Sequence, residues 1–395
     1  MFFLKKIIST IISVFYLTFM NVLFITNEFS HKKLSPSGGV GRFYKELSDE
    51  LFKNGHQVYV LGTNHTKFCV VDKGISFHIL NKINFPGGGK LSVFQFFINR
   101  FLLTINFISF VKKHKIDVIE INEPIIAYII SFFKGNIPMV LRQHGMQSIL
   151  SAMYGSKINK IYYFFERRAH FRADIVISVS KYIKEVVHKL YGADLSVDVV
   201  YNGIQINNQV LSVKKNNKSL LYVAALTEKK GYLDLVRVFN EINLKDNTVD
   251  LVIIGRESEF SFKSLGFTES ALNRITYLGY LDYDEMKKYY VASNLFLNFT
   301  KGETFGLTTI EAMSNNIPVV ISNIGVAEEI VENGISGYIV DLQNTEDVLN
   351  KIFKILNDSS LQKKIGQIAG ESVKNSFTNE IMYNRTIEIY KKIQN

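Results

Sequence analysis

A single cysteine, Cys69, in 395 residues excludes a disulfide framework within the chain and a cysteine-rich zinc site. No cluster of histidine and cysteine takes its place as a metal site. Low-complexity tracts and short internal repeats are also missing, which excludes solenoid and linker-dominated architectures. No G-x-G-x-x-G is present, and no acidic residue closes a convincing second strand, so a nicotinamide cofactor is disfavoured. Nor does a nucleic-acid-binding motif accompany the positive charge, and no nucleic-acid partner is expected.

What is present is a chain of 45.2 kDa that is 47% apolar. That is too apolar for disorder and too long for one comfortable core, so two domains are expected. The net charge of +10 is uneven: residues 1–205 carry 25 basic and 13 acidic side chains, for +12, and the remainder carries −2. A basic first half suggests an anionic ligand or surface beside it, or the solubility bias of a lysine-rich chain. The opening "MFFLKKIISTIISVFYLTF" pairs two lysines with an apolar run but has no small-residue cleavage site. It reads as a short membrane-associating segment or as an extension from an upstream start codon.

Apolar runs of strand length alternate with amphipathic stretches over nearly the whole chain. In the first half they are "NVLFIT", "QVYVLGT", "DVIEIN", "MVLRQHG" and "DIVISVS"; in the second, "LLYVAAL", "DLVIIG", "ITYLGY", "NLFLNFT", "IPVVISN" and "SGYIVD". Buried strands alternating with helices predict parallel sheets covered on both faces. Doing so twice predicts an α/β protein of two Rossmann-like domains. The divisions are 1–19, an apolar extension; 20–207, a first domain; and 208–377, a second, with the junction near 204–218. A final amphipathic helix, 378–395, is expected to pack back on the first domain. Ligands of open α/β sheets bind beyond the carboxyl ends of the strands, so the cleft between the two domains is the expected site.

Four stretches carry chemistry. "SPSGGVGRFYKEL" places Gly38, Gly39 and Gly41 between the first strand and first helix, either as an anion-binding turn or as a flexible loop. "TEKKGYLDL" puts Lys229 and Lys230 at a helix start, where a cation opposes the dipole unless an anion binds there; a solvated charge pair is the alternative. "KGETFGLTTIEAM" sets Glu303 at the mouth of a helix starting near Phe305, with Glu311 about 9 Å along its axis. A carboxylate inside that apolar run requires a polar partner. The basic, aromatic "SKINKIYYFFERRAHFRAD" reads as a helix resting on an anionic membrane or as an ordinary domain helix.

The first three of these stretches, with "RQHG", "VVYNGI", "LVIIGRE" and "EEIVENGISGYIV", occur in an order that resembles the retaining GT-B glycosyltransferases of family 4. The resemblance runs from about Asn21 to the end of the chain. Its most specific part is the pair of glutamates with E-x-F-G. It implies that Glu303 contacts the donor sugar hydroxyls and that Glu311 holds the ribose hydroxyls. Thr304, Phe305, Gly306 and Leu307 would face the donor phosphates and sugar. Lys230 would neutralise the leaving diphosphate, Gly38 and Gly39 would approach the same phosphates, and His144 would lie near the sugar. Glu303, His144 and Lys230 are then the catalytic candidates.

The pattern is broken at Ala225, where the family places an arginine that grips the diphosphate; Lys230, Lys229 or Arg256 would have to compensate. Asp282-x-Asp284 superficially matches the metal-binding D-x-D of a different glycosyltransferase fold, but Asp284 reads as a helix N-cap. No metal and no cofactor is expected, the nucleotide-diphospho-sugar being a substrate. The resemblance implies transfer to an acceptor hydroxyl; the basic first half and the apolar N-terminus fit a saccharide or lipid-linked saccharide acceptor, in the cytoplasm or on the inner membrane face, in bacterial surface polysaccharide (for example lipopolysaccharide) assembly. The alternatives are a glycogen- or starch-synthase-like enzyme and a non-catalytic sugar-nucleotide-binding protein.

Overall fold

A computed structural model describes residues 19–34, 38–85, 90–206, 218–262 and 266–394. Most of the amino-terminal extension and most of the expected junction lie outside the described residues. Two sheets form. The first has the order β3-β4-β2-β1-β5-β6-β7-β8, with β1 Asn21–Ile25, β2 Gln57–Asn64, β3 Phe68–Asp72, β4 Ile75–Asn81, β5 Val118–Ile121, β6 Met139–Gln143, β7 Ile175–Ser178 and β8 Val197–Val199. The second has the order β11-β10-β9-β12-β13-β14, with β9 Ser219–Val223, β10 Asp250–Ile254, β11 Ile275–Tyr277, β12 Leu295–Asn298, β13 Val319–Ser322 and β14 Tyr338–Val340.

Pairing is parallel at β1–β2, where Val22 faces Val58, and at β9–β10, where Leu221 faces Val252. Strands such as β5, β6, β7 and β9 are buried along their whole length, as expected of strands covered on both faces. The architecture is therefore the two-sheet α/β design that the alternation predicts. One edge departs from it. β3 runs antiparallel to β4, joined by Lys73 and Gly74 at φ of 49° and 81°. Two successive left-handed residues make the tight hairpin turn that a parallel crossover does not need.

By compactness the described residues form two units. The first comprises those within Met1–Arg142, Phe165–Val176 and Ile387–Asn395, the second those within Gln143–Phe164 and Ile177–Thr386. The first unit holds a fully buried ion pair, Arg142 Nε and Nη2 donating to Glu120 at 2.7 and 2.9 Å. Tyr390 donates its hydroxyl to the same carboxylate at 2.6 Å. The pair thus has the added hydrogen bond that a buried charge needs, and it fixes the end of the final helix, Asn379–Gln394. The second unit is built on a core that includes Tyr222, Leu235, Phe239, Leu251, Leu297 and Val320.

Candidate active site

In the second unit two loops leave the carboxyl ends of neighbouring strands and lie against each other. The chain after β9 passes Ala225 and Lys230 to Gly231, the N-cap of the Tyr232–Lys245 helix. Gly231 has φ of +73°, and a β-carbon there would collide with the Phe299 carbonyl beyond β12. Glycine thus permits the close approach. The approach is then fastened: the Lys301 amide donates to the Lys229 carbonyl at 2.8 Å, and the Thr300 hydroxyl to the same oxygen at 3.1 Å. Behind it, Tyr222 donates to the Lys230 carbonyl at 2.7 Å.

These constraints bring Lys230 Nζ to 2.8 Å from Glu303 Oε2, with the side chains 35% and 19% exposed. The carboxylate holds the Lys230 pKa above its ordinary value, with burial opposing the shift. The other Glu303 oxygen accepts the Thr304 amide at 3.2 Å. Two residues that sequence spacing left separate thus form one charge pair. It lies beside the N-caps of two helices, Gly231 and Gly306.

The loop bearing Glu303 is held from several sides. Tyr154 donates its hydroxyl to the Gly302 carbonyl at 2.9 Å, and Ser180 donates to the Thr304 carbonyl at 2.8 Å. Phe305 is buried and stacks on Tyr201 at 5.7 Å. Gly145, which follows the half-buried His144 at the end of β6, lies against the Thr304 methyl group and Leu150. His144 is therefore in the same neighbourhood as Glu303. The Lys181–Tyr191 helix presents its first amides, Lys181 and Tyr182, to the Glu329 carboxylate at 2.8 and 2.7 Å.

The Leu307–Ser314 helix begins two residues later than its sequence suggests, with Leu307 in its first turn. Glu311 then lies about 6 Å along the axis. It is only 2% exposed and accepts a hydrogen bond from the Tyr290 hydroxyl at 2.8 Å. The polar partner required of a buried carboxylate is thus a tyrosine of the Tyr283–Ala292 helix.

Arg256 is exposed, 5.5 Å above the Tyr280 ring, and its carbonyl accepts the amide of Leu226, one residue from Ala225. Lys229 sits over the Tyr154 ring at 4.7 Å. In the first unit, Gly38 is the N-cap and Gly39 the first residue of the Gly39–Lys53 helix, and the space where a Gly38 side chain would stand is open. Among the described residues no group of three His, Cys, Asp or Glu side chains is placed to hold a metal ion. The cap of the Tyr283–Ala292 helix is Asp282 rather than Asp284, because Glu285 reaches back to the Asp282 amide at 3.2 Å in a capping box.

Sequence reasoning missed Tyr154, Ser180, Tyr201, Tyr290 and Glu329. Ser180 and Glu329 fall within quoted motifs and carry a readable signal, a serine ahead of a helix and a glutamate beside "IVENG". Tyr154 and Tyr290 carry none, since their partners are set by tertiary packing.

The comparisons agree with this architecture. The family described as "Glycosyltransferase Family 4" matches residues 37–208, and "Glycosyl transferases group 1" matches 204–372. Sucrose-phosphate synthase from Thermosynechococcus elongatus superposes with a TM-score of 0.80 at 18% identity, over 95% of this chain and 99% of that one. Anabaena HepE, solved in complex with UDP and glucose, does so with a TM-score of 0.69 at 19% identity, over 94% and 99%. The fold is thus that of the GT-B glycosyltransferases. With the two family matches lying end to end, the chain belongs to the glycosyltransferases of the family 4 type.

Among curated relatives, N-acetyl-alpha-D-glucosaminyl L-malate synthase of Bacillus anthracis is 24% identical over 371 residues, 89% of this chain and 93% of that protein. The capsular polysaccharide biosynthesis glycosyltransferase CapM of Staphylococcus aureus is 27% identical over 249 residues, 58% and 64% of the two chains.

Proposed function

We propose that this chain is a metal-independent, retaining hexosyltransferase that moves a sugar from a nucleotide-diphospho-sugar to an acceptor hydroxyl. The acceptor is a lipid-linked saccharide presented at the inner face of the membrane, in the assembly of a bacterial surface polysaccharide. The observation that carries the reading is the Lys230–Glu303 pair beside two helix N-termini. A cation beside two helix N-termini suits a diphosphate, and a carboxylate beside them suits the hydroxyls of the attached sugar. The UDP and glucose complexed with HepE and the capsular role of CapM point the same way.

In this reading Lys230 stabilises the charge that develops as the bond from the sugar C1 to the β-phosphate oxygen breaks. The acceptor oxygen forms its bond to C1 on the same face, and its proton passes to the departing phosphate oxygen. Glu303 orients the sugar, Thr304 to Leu307 line its phosphates, and His144 lies near the ring. Glu311, steadied by Tyr290, receives the ribose. Arg256, tied by its backbone to the segment after Ala225, supplies the cation that the Ala225 position lacks.

The test is stereochemical. With a donor that supports turnover, the anomeric proton coupling of the product reports retention. An inverted product contradicts the proposal, and so does a glycosyl adduct trapped on any carboxylate.

A further inference from the structure

The helix Lys90–Lys113 is the one described helix long and apolar enough to cross a membrane by length and composition, yet only five of the 20 residues in its Phe94–Lys113 stretch are buried. A core helix would be covered on most sides. This one buries Asn99, Leu103, Thr104, Phe107 and Phe110 in the first unit, which excludes a spanning role for it. Its opposite face carries Phe94, Phe97, Phe101 and Ile105, exposed by 57%, 48%, 64% and 46%. The spacing of 3, 4 and 4 residues puts all four on one stripe about 17 Å long. The exposed side chains of Leu233, Leu244, Leu272 and Ile335 in the second unit form no such series.

Charge selects what covers the stripe. No aspartate or glutamate occurs between residues 90 and 115. The stripe runs into Lys112, Lys113 and Lys115, all exposed. Phenylalanines on one face of a helix that ends in lysines match the boundary between acyl chains and anionic headgroups. A second copy of the chain would instead bring like charge to like charge.

We infer that the Lys90–Lys113 helix lies in the plane of an anionic bilayer, with Phe94, Phe97, Phe101 and Ile105 inserted among the lipids. On the other edge of the same helix, Gln95, Asn99 and Arg100 line a cavity of about 400 Å³ together with Asn64 and Glu123. Arg100 and Glu123 pair there at 2.9 Å. Docking would hold this polar cavity at headgroup level, where the saccharide of a lipid-linked acceptor is found. The inference extends the membrane-borne acceptor of the proposed function, but its test requires no turnover.

The chain has no tryptophan, so Phe101→Trp in the full chain installs a unique fluorophore at a site with little packing to disturb. Vesicles of phosphatidylcholine with phosphatidylglycerol, some bearing brominated acyl chains, provide the surface, and pure phosphatidylcholine vesicles provide the comparison. The indole is expected to shift to the blue and to be quenched on anionic vesicles, more weakly on neutral ones. Leu244→Trp, in the second unit, should report neither. Phe97→Ser with Ile105→Ser should weaken binding on the order of 30-fold, and Lys112→Glu with Lys113→Glu should remove the preference for anionic lipid. Vesicle binding that leaves the Phe101→Trp indole unshifted places attachment elsewhere and overturns the inference. So does a shift that follows protein concentration without vesicles, which marks a second copy on the stripe. Failure to bind vesicles, with donor turnover intact, rejects the inference and leaves the proposed chemistry standing.

Discussion

Glu303→Gln and Lys230→Met should move nucleoside diphosphate binding in opposite directions. In the free protein Lys230 is engaged by Glu303 at 2.8 Å. A diphosphate seated on Lys230 would therefore lie within about 5 Å of a carboxylate of its own sign. Two unit charges at that separation interact by roughly 3 kcal/mol at an effective dielectric of about 20. The lysine is 35% exposed, and solvent screening cuts the figure to about 1.5 kcal/mol, or about tenfold in Kd. Glu303→Gln removes the repulsion while keeping the shape, so the diphosphate should bind about tenfold tighter, although transfer is lost. Lys230→Met should bind it about tenfold more weakly. Isothermal titration with UDP, GDP, ADP and dTDP measures both changes. Equal weakening in the two variants, or no change in either, would refute a diphosphate site at this pair.

Three further outcomes follow from local geometry. Tyr290→Phe leaves the buried Glu311 carboxylate without its 2.8 Å donor and should cost about 1–3 kcal/mol in urea unfolding. Gly231→Ala forces a left-handed backbone and a collision with the Phe299 carbonyl. It should cost at least about 2 kcal/mol and, by displacing Lys230, weaken diphosphate binding by up to about the tenfold expected of Lys230→Met. His170, 2% exposed with Nδ1 donating to the Glu166 carbonyl at 2.6 Å, has its pKa lowered by burial to about 4. Its folded pKa lies below the unfolded value of about 6.5. Its contribution is therefore intact above that pH and is lost as pH falls toward 4, by about 3 kcal/mol in all. Urea midpoints at neutral and acid pH should show this limb flattened in His170→Gln.

Much of the fold was legible because its central strands are uninterrupted apolar runs. "DIVISVS" and "LLYVAAL" can hardly be anything but buried strands in an alternating α/β pattern. The β3–β4 hairpin was not legible. "FCVVD" is a short edge strand with Cys69, Val71 and Asp72 exposed, and its turn needs positive φ at Lys73, which no residue type announces. At the site, Lys230 and Glu303 each declared themselves as charges at a helix start. Their pairing did not, because 73 residues and the close approach at Gly231 separate spacing from contact.

In the sequence, cations and aromatics mix most plainly in residues 157–172. The longer stripe at Phe94 to Ile105 escaped notice because a nearly all-apolar helix reads as core. Only the packing shows which side is left uncovered.

The most direct measurement is release of nucleoside diphosphate from a panel of UDP-, GDP-, ADP- and dTDP-sugars without added metal, with and without a lipid-diphosphate-linked acceptor. The account predicts release from one donor by the wild-type chain, and its loss in Lys230→Ala and Glu303→Ala. Release that persists in both variants, or none from a donor that the wild-type chain demonstrably binds with acceptor present, would contradict it.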